Sequence, residues 1–258
     1  MSSVHPAALV DPAAQLADDV EVGAFSIIGP NVSIGPGSRI GPHVVVTGRT
    51  TIGRNTRIFQ FASIGEEPQD KKYAGEDTEL IIGDDNTIRE LCTFSRGTIQ
   101  GGGKTIIGNN NWIMACVHIA HDCHLGDNII MANNASLAGH VTVGDWAILS
   151  GYSLIHQFCN VGEHSFTSFA SHVNQSIPPY VTVSGEKAKA KGVNTEGLKR
   201  RGYTPEQIKQ VRRAYKVLYR SGLPLEEARE QLAEMAEGHD EIKPLVDFLE
   251  TTVKSFIR

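Results

Sequence analysis

Aliphatic residues recur at every sixth position along most of this chain. One run passes through Val4, Val10, Leu16, Val22, Ile28, Ile34, Ile40, Val46, Ile52, Ile58 and Ile64. A second passes through Ile107, Ile113, Ile119, Leu125, Met131, Leu137, Val143, Leu149, Ile155 and Val161, and fades through Thr167 to Val173. Glycine often comes next, as at Gly23, Gly29, Gly35, Gly126 and Gly144, and a small or short-branched residue usually sits four places on. A period of six fits neither a helix nor an alternating strand. It predicts a β-solenoid, a parallel β-helix in which each short strand turns a corner into the next. Three hexads make one triangular coil, so residues 18 apart share a face one strand spacing (about 4.8 Å) apart. Residues 4–183 would then form about ten coils, a prism roughly 48 Å tall.

The beat breaks twice. Residues 65–81 are polar and contain Pro68 and Gly75, which reads as an extruded loop. Ile82, Ile88 and Phe94 resume the original phase. A second loop at 95–106, with Gly101, Gly102 and Gly103, shifts the phase by one residue. Loops extruded from a solenoid often carry function. The beat ends near Pro178-Pro179, so the β-helix is assigned to residues 1–185 and a helical domain to 186–258. Thr204 can cap a helix with Pro205 in its first turn. Ile208, Val211, Ala214, Tyr215 and Leu218 follow at helical spacing, ending at Ser221-Gly222. Pro224 opens a second helix to about Ala236, and a third is expected from about Ile242 to the end.

Composition narrows the class. No basic segment precedes an apolar run at the N-terminus, and no apolar stretch reaches about 18 residues, so a soluble, cytoplasmic protein without membrane insertion is expected. Four cysteines are too few and too irregular for a disulfide framework or a zinc ribbon. Cys92, Cys123 and Cys159 fall on the small-residue position and should point inward. The net charge of −5 divides unevenly: residues 186–258 carry +3 and the remainder −8. A basic segment on an acidic body suits an acidic partner, although a solvated helix surface explains the charge equally well. Nucleic-acid binding is not expected.

Five of the ten histidines fall within 118–156. Coil arithmetic stacks His121, Gly139 and Gln157 in one column, Asp122, His140 and Phe158 in the next, and Ala120, Ala138 and His156 in the one before. A base, a carboxylate and an unshielded glycine N–H therefore gather on one edge, which points to chemistry. Exposed or interfacial histidines are the plain alternative there, and the preferred one for His5, His43 and His239. Zinc needs three convergent ligands at about 2.0–2.1 Å. His118 lies on a different column from His121 and His140, so no metal site is expected. No P-loop, dinucleotide, G-x-S-x-G or H-E-x-x-H motif occurs. A zinc-dependent, carbonic-anhydrase-like hexapeptide enzyme and a non-catalytic scaffold remain the other readings of the residues alone.

Several stretches closely resemble the acyl-carrier-protein–UDP-N-acetylglucosamine O-acyltransferases of bacterial lipid A synthesis. They are Ile58-Phe59-Gln60-Phe61-Ala62-Ser63-Ile64-Gly65-Glu66, His118-Ile119-Ala120-His121-Asp122-Cys123, Leu137-Ala138-Gly139-His140-Val141, Ile155-His156-Gln157-Phe158-Cys159 and Asn194-Thr195-Glu196-Gly197-Leu198-Lys199-Arg200-Arg201-Gly202. The resemblance spans essentially the whole chain. It implies a left-handed β-helix, a homotrimer with sites between prisms, and transfer of a (3R)-3-hydroxyacyl group from the carrier thioester to the glucosamine 3-hydroxyl, without a cofactor. It also implies that His121 is the general base, oriented by Asp122, with the Gly139 N–H as oxyanion donor. His118, His140, His156 and Gln157 become substrate contacts. Asp70 and Lys72 would grip the sugar and the acyl hydroxyl, and Asn194, Glu196, Arg200 and Arg201 the nucleotide and its phosphates. The basic residues Arg212, Arg213 and Lys216, with Lys209 and Arg220, would dock the acidic carrier. Two positions depart from the family pattern. Phe94-Ser95-Arg96-Gly97 stands where Ile-His-Arg-Gly is common. Phe169 stands where long-chain members carry glycine, which implies an acyl preference near ten carbons and below fourteen.

Overall fold

The computed structural model describes residues 3–252 and 255–258. Residues 3–183 wind as a left-handed parallel β-helix with three sheets for faces. The first face starts at Ser3–Val4, the second at Leu9–Val10 and the third at Gln15–Leu16. Most strands are two residues long, one pointing out and the aliphatic residue pointing in. Ile34, Ile52, Ile82, Ile107, Leu125, Val143 and Val161 stack in one such inward column, all buried. Each such burial contributes about 1.5–3 kcal/mol. The inward cysteine positions hold: Cys92, Cys123 and Cys159 are fully buried. Burial pushes the thiols of Cys92 and Cys123 up to about 12, so neither is a ready nucleophile.

The corners explain the hexad. Left-handed backbone recurs at its fourth residue: Phe25, His43, Phe61 and Leu91 on the first–second edge, Asn55, Asp85, Asn110 and Asn128 on the third–first edge, and Asp122, His140 and Phe158 on the second–third edge. Such φ values cost a non-glycine residue roughly 1–2 kcal/mol, least for Asn and Asp. Hydrogen bonds between coils hold the corners, as where His140 N–H donates to the His121 carbonyl at 3.0 Å.

Both breaks are loops, and their lengths set the register. Ile82 stacks on Ile52, 30 residues earlier, because the first loop adds twelve residues to its coil. Ile107 stacks on Ile82 at a spacing of 25, so the second loop adds seven. Each loop leaves the second face (after Ser63–Glu66 and Thr93–Ser95) and returns to the third (at Glu79–Ile82 and Lys104–Ile107). They therefore emerge on one edge, in successive coils.

At the top, Val181–Ser184 and Lys189–Val193 form an antiparallel hairpin that leads into the helices. Helix α1 spans Thr195–Arg200, α2 Pro205–Arg220, α3 Leu225–Ala236 and α4 Lys243–Thr251. Thr204 caps α2 through a reciprocal box with Gln207. Two expectations need correction. Helix α1 lies where no helix was anticipated, since six residues are too few to show a period. The last helix does not run to the end: it stops at Thr251, and Phe256 pairs instead with Ser176 of the β-helix.

Candidate active site

The second–third edge gathers His121, Asp122 and His140. His118–Ile119 ends a strand of the second face and His124–Leu125 starts one of the third, so residues 120–123 form the corner directly above the two loops. Left-handed backbone at Asp122 (φ 59°) leaves its carboxylate beside the ring of His121. Nδ1 of His121 lies 2.7 Å from Oδ2 of Asp122, whose side chain is only 1 % exposed. With the carboxylate ionised, the imidazole proton sits on Nδ1 and Nε2 is left as the acceptor.

The next coil supplies the other half. A β-carbon at Gly139 would lie 2.6 Å from Cε1 and 2.9 Å from Nε2 of His121, so the bare glycine backbone faces the imidazole. Its N–H makes no hydrogen bond among the described residues, although the flanking N–H groups of Ala138 and His140 are both used. A free donor next to a basic nitrogen can stabilise an oxyanion formed at that point.

His140 shares Asp122's column. Its Nε2 is 3.6 Å from Oδ2 of Asp122, and its ring packs edge-on to His121 and stacks on Phe158 at 4.4 Å. Burial pushes His140 below the ordinary imidazole range, against the pull of Asp122 and, more weakly, of Asp70 in the first loop. Asp70 is half-buried and Lys72 exposed on that loop. His118 is also lowered by burial, and its Nδ1 lies 2.8 Å from the Thr93 hydroxyl. His156 and Gln157 are exposed two coils above His121's level. The stacking inferred from the 18-residue period is thus the arrangement found.

The second loop contributes residues that the repeat did not reveal. Thr98, 2 % exposed, donates its N–H to Oδ1 of Asp122 at 2.7 Å and its hydroxyl to Oδ2 at 2.6 Å. Thr105 accepts the Asp122 N–H at 2.8 Å. A β-carbon at Gly101 would collide with the same carboxylate. The one-residue phase slip was the only sign that this loop reaches the corner. Ser95 is buried in its strand.

His121, Asp122 and His140 also place three potential ligand atoms within 4.8 Å of one another. Tetrahedral zinc with bonds near 2.0–2.1 Å sets its ligand atoms roughly 3.4 Å apart. The 2.7 Å contact between His121 and Asp122 has the length of a charge-assisted hydrogen bond instead. Asp122 is moreover already engaged by Thr98.

The remaining candidates lie elsewhere on the chain. Asn194, Glu196, Arg200 and Arg201 line a groove of about 560 Å³ with Ile130, Ile148 and other first-face residues, beside the third–first edge. One chain does not bring them to His121. Asn194 caps α1 through the Gly197 N–H. Phe169 is 69 % exposed on the first–second edge, its ring lying over Gly151 and edge-on to Tyr152. Arg212, Arg213 and Lys216 project from the exposed side of α2.

Residues 177–257 match the family described as Udp N-acetylglucosamine O-acyltransferase, domain 2, and residues 13–48 and 104–139 match the bacterial transferase hexapeptide family (six repeats). The acyl-[acyl-carrier-protein]–UDP-N-acetylglucosamine O-acyltransferase of Herminiimonas arsenicoxydans is 58 % identical over all of both chains. That of Xylella fastidiosa is 55 % identical over 100 % of this chain and 98 % of its own. The crystal structure of the Francisella novicida UDP-N-acetylglucosamine acyltransferase superposes with a TM-score of 0.97 at 44 % identity, covering 99 % of this chain and 94 % of that one. A histidine–carboxylate corner on a hexapeptide β-helix, joined to relatives this similar along their whole length, leaves one conclusion: the chain belongs to the UDP-N-acetylglucosamine O-acyltransferase family.

Proposed function

We propose that this protein transfers a (3R)-3-hydroxyacyl group from acyl carrier protein to the 3-hydroxyl of UDP-N-acetylglucosamine, the first step of lipid A biosynthesis. The observation that carries the reading is the Asp122–His121 pair facing the unbonded N–H of Gly139. Nε2 of His121 takes the proton of the sugar hydroxyl as that oxygen attacks the thioester carbonyl. Asp122 stabilises the imidazolium that results, and the Gly139 N–H receives the oxyanion. On collapse the carbon–sulfur bond breaks, the ester remains on the sugar, and the thiolate takes the proton back from His121. The thioester is already activated, so the reaction needs neither a metal nor a cofactor. Both substrates place the enzyme in the cytoplasm. Among the described residues no helix is long and apolar enough to cross a membrane.

A homotrimer completes the site in this reading. His121 occupies one edge of the prism and the Asn194–Arg201 groove lies beside another, so a neighbouring copy would bring its nucleotide groove to the histidines. His118, His140, His156 and Gln157 would contact the sugar and acyl groups, with Asp70 and Lys72 closing from the first loop. The test is transfer from 3-hydroxyacyl carrier to UDP-N-acetylglucosamine by the purified protein, with donors of ten, twelve and fourteen carbons. Absence of ester product with every donor would overturn the proposal.

The same assay tests chain length. Phe169 stands at the edge of the second face opposite His121, where its ring would block the end of an acyl chain laid along that face, so the ten-carbon donor should be preferred. An excluded methylene typically costs tenfold or more. Phe169→Gly should therefore raise the fourteen- to ten-carbon rate ratio by at least about tenfold, and an unchanged ratio would remove Phe169 from the acyl path.

Carrier docking is assigned to α2. Arg212 also donates to the Thr195 hydroxyl at 3.3 Å, beside the nucleotide groove, so Arg213 and Lys216 give the cleaner test. Arg213→Glu with Lys216→Glu should raise KM for the carrier roughly tenfold, through like-charge repulsion, and leave KM for the sugar nucleotide unchanged. An unaltered carrier KM would place the docking surface elsewhere.

A further inference from the structure

The third–first edge holds a buried imidazole that the transfer chemistry does not use. Trp146, His164 and Tyr180 occupy successive corners there, all with left-handed backbone. Their rings stack: Trp146 and His164 lie within 1° of parallel at 6.3 Å, and His164 and Tyr180 within 16° at 5.7 Å. Tyr203 packs edge-on to His164 at 5.3 Å. His164 is 7 % exposed, and burial together with the nearby Arg201 charge pushes it down to about 4, so it is neutral at physiological pH.

Its two nitrogens have separate partners. Nδ1 lies 3.2 Å from Nη1 of Arg201, and Nε2 lies 3.3 Å from the hydroxyl of Tyr203, with a Glu163 oxygen 3.9 Å away. A guanidinium can only donate, so Nδ1 must be the acceptor and the ring proton sits on Nε2. The guanidinium of Arg201 also lies 5.2 Å over the Trp146 ring. Arg201 is thus fixed by a neutral acceptor and an aromatic face, and it forms no ion pair among the described residues. Its charge is half-buried, positioned and not neutralised, at the rim of the groove shared with Arg200, Asn194 and Glu196.

We infer that His164 is a positioning residue: it holds Arg201 charged and oriented for the diphosphate of the sugar nucleotide. A carboxylate in its place would fix the arginine equally well but cancel the charge that the phosphates need. The inference deepens the proposed function and rests on its reading of this groove as the nucleotide site.

Calorimetric binding of UDP and of uridine separates the role from general support of the groove. His164→Phe, which keeps the ring stack and removes the acceptor, should weaken UDP roughly tenfold, the worth of one hydrogen bond to a charged group. It should leave uridine within about twofold. His164→Gln, which restores an acceptor oxygen, should recover most of the UDP affinity. Unchanged UDP binding by the folded Phe variant, or equal losses for UDP and uridine, would overturn the inference. If His164→Phe does not fold, Tyr203→Phe reads the same contact by removing the partner of Nε2–H: a loss of about threefold confined to UDP supports the role, and no loss refutes it. A parent protein that binds no UDP would overturn the nucleotide reading itself, and this inference with it.

Discussion

Replacing His121 with alanine is expected to lower kcat for acyl transfer by about 10²–10⁴, the usual worth of a positioned general base. The melting temperature should change little. His121 lies at a corner and contributes nothing to the inward aliphatic columns. Its removal still leaves Asp122 with two hydrogen bonds from Thr98. The loss should therefore fall on chemistry and not on folding. Transfer measured at saturating carrier and sugar nucleotide, beside a thermal melt, separates the two. A folded His121→Ala protein that keeps a tenth or more of the parent kcat would exclude the imidazole as the base.

Gly139→Ala should be almost as damaging, for a steric reason. Gly139 has no left-handed backbone, so alanine is not strained at that position. The new methyl would instead fall 2.6 Å from Cε1 of His121. The ring cannot swing away freely, because Nδ1 is held to Asp122 and the edge of His140 blocks one side. Either the imidazole turns out of line or the coil shifts and takes the Gly139 N–H with it. Both outcomes uncouple base from oxyanion donor, and losing one such donor typically costs about 10²–10³ in kcat. Binding of UDP, on another edge, should be unchanged. A Gly139→Ala enzyme within threefold of the parent kcat would show that the base and the oxyanion site are not in contact as described.

The β-helix and the histidine edge were legible in the sequence for the same reason. Where two side chains in six, one aliphatic and one small, must fill a narrow prism, the period fixes every other position, and His121, Gly139 and Gln157 can be stacked by counting. That logic stops where the chain leaves the lattice. Thr98 holds the Asp122 carboxylate as firmly as His121 does, but it sits in a loop, and no period assigns it a partner. Likewise, α1 is too short to show a helical repeat, and the chain's return to Ser176 depends on a pairing between distant residues. The separation of Arg201 from His121 was beyond counting as well, since residues 194–201 follow the hairpin and not the coils.

Both insertions leave the prism at the corner where the dyad stands, in the two coils directly before it. Each coil touches only its neighbours, so a solenoid absorbs an extra stretch at a corner without passing the disturbance along. The strands resume in register on either side of both loops, with Ile52, Ile82 and Ile107 still in one column. The architecture thus separates two jobs that a globular enzyme must usually reconcile. The second loop keeps Thr98 on the Asp122 carboxylate. The first loop can change length and composition to suit new substrates, while the backbone spacing of Asp122, His121 and Gly139 stays locked to the rise of the strands.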